Sequence, residues 1–118
     1  MSESGPRKSV DIEVTSFFDS DAQDIADRHP EDWKRLSRAL RRYERTGRGD
    51  IEKVSGTDNE IYRFKASRGL PRIFLLRAEG IEYLIGLEKR RTAYARHVLE
   101  RMDDRAAEML GVLDEEEP

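Results

Sequence analysis

A chain of 118 residues, 36% hydrophobic and 40% charged, has the length for one domain with a compact core and a heavily charged surface. It contains no cysteine, which excludes disulfides, thiolate metal sites and thiol nucleophiles. Its formal net charge of −3 conceals a basic middle between two acidic ends.

The predicted elements begin after a polar stretch, Met1–Ser9, whose composition reads as disordered. Val10, Ile12 and Val14 alternate with Asp11, Glu13 and Thr15, the pattern of a short half-buried strand. Phe18, Ala22, Ile25 and Ala26 follow at helical spacing, with Asp19 or Ser20 as the expected cap. His29-Pro30 ends that helix, and Pro30 suits the first turn of the next, where Glu31 and Asp32 meet the positive dipole end. Trp33, Leu36, Leu40 and Tyr43 form one apolar stripe, arginines take the other sides, and Gly47 and Gly49 stop the helix.

The period then changes from helical to extended. Ile51–Val54 reads as a short strand, followed by turn residues from Ser55 to Asn59. In Ile61–Ala66, Tyr62, Phe64 and Ala66 share one face, and Arg63 and Lys65 share the other. Ser67-Arg68-Gly69 makes a turn before Arg72–Arg77, and Ala78-Glu79-Gly80 connects this strand to Ile81–Leu87 as a hairpin. After Glu88-Lys89-Arg90-Arg91, a helical stripe runs from Tyr94 to Gly111, and its far end is a candidate partner surface. The fold class is α+β: an N-terminal strand and helical hairpin packed on a small antiparallel sheet, with a C-terminal helix. Residues 10–111 form the expected domain, and 112–118 are an acidic tail expected to be solvated.

The motif inventory is largely negative. Gly47-Arg48-Gly49 is too short for a phosphate loop and follows a helix. His29 and His97 are isolated, so no metal site and no cofactor is expected. No serine lies in a nucleophile elbow. The N-terminus has no signal-peptide pattern, and no apolar run approaches the roughly 20 residues that span a bilayer. The expected compartment is the cytoplasm, with no membrane partner.

Charge carries what remains. Residues 33–105 hold nineteen Lys and Arg against eleven Asp and Glu, the imbalance of a polyanion-binding surface or of a well-solvated, ion-paired one. Arg63 and Lys65, two apart in a strand, project from one face about 6–7 Å from each other. Arg72 opens the next strand, and Arg90 and Tyr94 come from the end of the last one and the start of the helix. Four cations with a phenol suit a phosphodiester and its flanking base, since guanidinium meets phosphate bidentately and the ring stacks. The alternative is that Arg63 and Lys65 form only the exposed face of an amphipathic strand.

These segments resemble the RelE/ParE superfamily of toxins from bacterial toxin–antitoxin systems. Lys53-Val54-Ser55-Gly56 is similar to the family's "K-L-x-G" turn, and Tyr62-Arg63-Phe64-Lys65 to its "Y-[KR]-aliphatic-[KR]" strand. Gly69-Leu70-Pro71-Arg72-Ile73-Phe74 and Lys89-Arg90 followed by Tyr94 resemble its later steps. The resemblance covers residues 10–100 and implies a ribosome-dependent endoribonuclease that cleaves mRNA by metal-independent attack of a 2′-hydroxyl on the adjacent phosphate. It assigns catalysis to Arg63, Lys65, Arg72, Arg90 and Tyr94, with Lys65 helping to deprotonate the nucleophile, and RNA contacts to Lys53, Arg68, Lys89 and Arg91. The implied partners are mRNA on the ribosome and a cognate antitoxin. The ParE branch, which inhibits DNA gyrase, and a non-catalytic RNA- or protein-binding module are the alternatives on the same scaffold.

Overall fold

A computed structural model describes residues 9–116, so the expectation for Met1–Ser9 lies almost wholly outside the described residues. The elements are β1 (Asp11–Val14), α1 (Ser16–Arg28), α2 (Pro30–Thr46), β2 (Asp50–Lys53), β3 (Ile61–Lys65), β4 (Arg72–Ala78), β5 (Ile81–Glu88) and α3 (Arg96–Glu116). The strands form one sheet in the order β1-β5-β4-β3-β2, with β1 parallel to β5 and the other pairs antiparallel. The α1–α2 hairpin covers one face, burying Phe18, Leu36 and Tyr43 against Phe64, Ile73, Leu75 and Leu84. The other face lies under α3, where Val98, Met102 and Ala106 pack on Ile61, Phe74, Leu76 and Ile85. Because β4 and β5 are covered on both sides, their sequences run almost continuously apolar instead of alternating.

Local chemistry explains where the elements begin. The cap of α1 is Thr15, not Asp19 or Ser20: its hydroxyl accepts the Phe18 N–H and donates to the Leu84 carbonyl at 2.7 Å. That second bond ties the helix start to the sheet, which a cap within the helical pattern cannot do. Gly47 closes α2 in the left-handed conformation. β2 is Asp50–Lys53, one residue earlier than the sequence pattern suggests.

α3 departs from expectation at both ends. It starts at Arg96, leaving Tyr94 in the preceding turn, and it runs through Gly111 to Glu116. Gly111 lacks the positive φ that would end a helix, so the first residues of the expected acidic tail are helical. Two clamps hold α3. The Asp103 carboxylate accepts the backbone N–H groups of Asp58 and Asn59 at 2.7 and 3.1 Å. Arg105 reaches Asp21 at 2.8 Å and the Ile85 carbonyl at 3.0 Å. Between β4 and β5 the register slips, Phe74 facing Gly86 while Leu75 faces Leu84. Gly86 lies where an added Cβ would collide with Met102 and Arg105, so its lack of a side chain lets α3 sit close.

Candidate nucleic-acid interface

Two cross-strand rows build the site on the α3 side of the sheet. One reads Glu52, Arg63, Phe74, Gly86, and the next reads Asp50, Lys65, Arg72, Glu88. Side chains at paired positions project to the same face, so Arg63, Lys65 and Arg72 share a cleft, as their spacing predicts. Tyr94 closes it from the turn before α3. Asp50, Glu52, Arg63, Lys65, Arg72 and Tyr94 line a space of about 30 Å³, room for about one water.

Each cation is held differently. Arg63 is only 8% exposed, so it is not the outer face of an amphipathic strand. Its guanidinium lies 3.8 Å from the Tyr94 ring centre and 6.0 Å from that of Phe74. One terminal nitrogen donates to the Ala93 carbonyl at 3.2 Å and the other pairs with Glu52. Arg63 thus fixes the turn that carries Tyr94, which itself is 54% exposed. Lys65 is half-exposed and pairs with Asp50 at 3.5 Å.

Arg72 is the most enclosed, at 4% exposure. Nη1 donates to the Leu70 carbonyl at 2.6 Å and to that of Ser67 at 3.5 Å, and Nε has no partner. Among the described residues no carboxylate forms an ion pair with it. Glu88, beside it in register, is taken by Arg101 at 2.6 Å and by the Thr92 hydroxyl.

Arg90 does not join this cleft. It lines a second one of about 610 Å³ with His29, Gly69, Lys89, Arg91 and Thr92. Among the described residues the side chains of Lys89, Arg90 and Arg91 form no ion pair. The β3–β4 loop touches both clefts, offering its carbonyls to Arg72 and Gly69 to the second. Arg68 stands exposed on that loop. Lys53 pairs in register with Tyr62, not with Arg63, and so projects from the opposite face.

Asp50 and Glu52 are the residues that reading by cations misses. Their signal is present in the sequence: they flank Ile51, which packs on the α1–α2 side, so both must face the cleft.

No protein-family model matches the chain, and comparison with curated proteins gives no match. Among solved structures it is similar to the YoeB dimer from Staphylococcus aureus, with a TM-score of 0.53 over 70% of this chain and 99% of that one. The chain has a RelE/YoeB-like fold. At 13% identity the likeness is one of backbone architecture. In this RelE/YoeB-like frame, β3, β4 and the turn before α3 present the cleft residues. Among the described residues no helix is long and apolar enough to cross a membrane, and no three His, Cys, Asp or Glu side chains gather as metal ligands.

Proposed function

We propose that the protein is the toxin of a toxin–antitoxin pair and acts as a ribosome-dependent mRNA endoribonuclease. The observation that carries this reading is Arg72, a guanidinium removed from water with no carboxylate among the described residues to neutralise it. A buried charge without a partner is costly, and a phosphate at the mouth of the cleft would supply the missing anion.

The reaction follows from the groups in the cleft. The 2′-hydroxyl oxygen bonds to the adjacent phosphorus while the bond to the 5′ oxygen breaks, leaving a cyclic phosphate and a 5′-hydroxyl. Glu52 accepts the 2′-hydroxyl proton, since Lys65, paired with Asp50, is a donor rather than an acceptor. Lys65 returns a proton to the leaving oxygen. Arg72 stabilises charge on the pentacoordinate phosphorus oxygens. Tyr94, exposed and backed by Arg63, stacks on a base. The second cleft, with Lys89, Arg90 and Arg91, holds the continuing strand. Its partner in the resting cell is an antitoxin whose segment covers the two basic clefts.

Inducible expression tests this. Wild type should arrest growth and produce mRNA ends mapped within ribosome-bound codons, whereas Arg72→Ala and Tyr94→Ala, the second removing the stacking ring, should relieve the arrest with unchanged circular dichroism. Full toxicity in both variants overturns the site. Inhibited supercoiling with intact mRNA would mean a gyrase inhibitor instead. Salt-sensitive RNA binding without toxicity would mean a non-catalytic module.

A further inference from the structure

α3 changes character along its length. Val98, Met102 and Ala106 are fully buried against the sheet. Beyond them Met109, Leu110 and Leu113 are only partly covered, and Val112 is 43% exposed. Leu110 and Val112 lie about 200° apart around the helix, so one sheet face cannot cover both. Asp114 and Glu115 then lie in the last turn of the helix, where the dipole disfavours carboxylates, and no basic residue stands in that turn. Among the described residues neither Asp114 nor Glu115 forms an ion pair.

The complementary charge is at the other end of the same element. Lys89, Arg90 and Arg91 line their cleft without an ion pair among the described residues, and two tight turns lead from there into α3, with Thr92 N–H on the Lys89 carbonyl and Ala95 N–H on that of Thr92. Arg96 and the positive dipole end open the helix. The acidic end cannot reach this cleft within one molecule, because 21 helical residues hold the two about 30 Å apart.

We propose that two copies associate with their α3 helices antiparallel about a two-fold axis, the acidic end of each seated on the Lys89–Arg91 cleft of the other. Isologous pairing satisfies both ends at once. Seating Asp114 and Glu115 on residues 89–91 also brings Val112 alongside Tyr94 of the second copy, joining two large side chains that each chain leaves exposed. Each acidic C-terminus then lies beside a positive helix N-terminus. The dimer covers both basic clefts, so it is a self-masked state that RNA must displace. This consequence rests on the proposed function; the association itself does not.

Sedimentation velocity of the full chain provides the test, with no RNA present. At micromolar protein the expectation is a dimer at about 0.05 M salt and a monomer at about 0.5 M, where screening is strong. The tail variant Asp114→Lys/Glu115→Lys and the cleft variant Lys89→Glu/Arg91→Glu should each be monomeric, with unchanged circular dichroism. Mixed in equal amounts they should form a heterodimer, because each basic element then meets an acidic one. A wild type that stays monomeric at low salt overturns the proposal, as does a mixture that fails to associate or a single variant that still dimerises.

Discussion

Arg63 and Arg72 stand one strand apart, and the fold treats them in opposite ways. Arg63 is committed to the Ala93 carbonyl, to Glu52 and to the Tyr94 ring, and works as the support beneath Tyr94. Arg72 is committed only to loop carbonyls, and its charge remains open. A third arginine shows what neutralisation looks like in this molecule. Arg77 bonds Glu82 at 2.8 Å, lies 4.0 Å from the Tyr62 ring centre, and shares Glu82 with the Tyr43 hydroxyl, which donates at 2.5 Å. Burial, then the bond to Glu82, pushes the Tyr43 phenol from 10.0 up to about 12. Burial pulls Arg77 down, yet Tyr43 and Glu82 together hold it above its ordinary value. Because the folded Tyr43 pKa lies above the unfolded one, its contribution is complete below pH 10 and is lost as pH rises through about 12. Wild type should therefore lose up to about 3 kcal/mol of unfolding free energy over that window. Tyr43→Phe should cost about 1 kcal/mol at neutral pH and flatten the alkaline loss, as read from urea midpoints. An equally steep loss in the variant would remove Tyr43 from the account.

At the scale of elements, sequence periodicity reads well where one face alone is buried and poorly where packing across the sheet decides. The α2 stripe through Leu36 and Tyr43 is legible because period alone places it, and in β3 period places Arg63 and Lys65 on one face but not the burial of Arg63 there. The Asp50 and Glu52 pairings, the slip at Phe74/Leu75 and the position of Arg90 depend on register between strands, which no single segment encodes. Gly111 is a further case. As a local signal it ends a helix, but Met109 and Leu113 on either side pack toward the sheet and carry α3 through it. A Cβ at Gly111 meets nothing within 4 Å, so Gly111→Ala should stabilise the protein by about 0.5–1 kcal/mol. Gly86→Ala should do the reverse, by about 1–3 kcal/mol, because its methyl enters space held by Met102 and Arg105. Thermal unfolding of the two variants side by side checks the pair. A Gly111→Ala protein less stable than wild type would contradict an unbroken α3.

For the whole molecule, what matters is which cations are already neutralised. Net charge is −3, and Lys65 and Arg63 are satisfied internally by Asp50 and Glu52. A phosphate that engages Lys65 exchanges one ion pair for another and releases few counterions. Among the described residues Lys89, Arg90 and Arg91 have no such partner, so they carry most of the salt-dependent part of binding. For single-stranded RNA each neutralised phosphate contributes about −0.7 to the slope of log affinity against log salt. Wild type should thus show a slope near −2 through these three residues, and Lys89→Ala/Arg91→Ala should lower its magnitude by about 1.4. Asp50→Asn should act differently, raising affinity at every salt concentration because it frees Lys65 without adding a cation. Fluorescence anisotropy of a labelled RNA across a salt series separates the two effects. If the double variant kept the wild-type slope, RNA would not be entering the second cleft. If Asp50→Asn weakened binding, the carboxylates would be contacts for RNA and not its competitors.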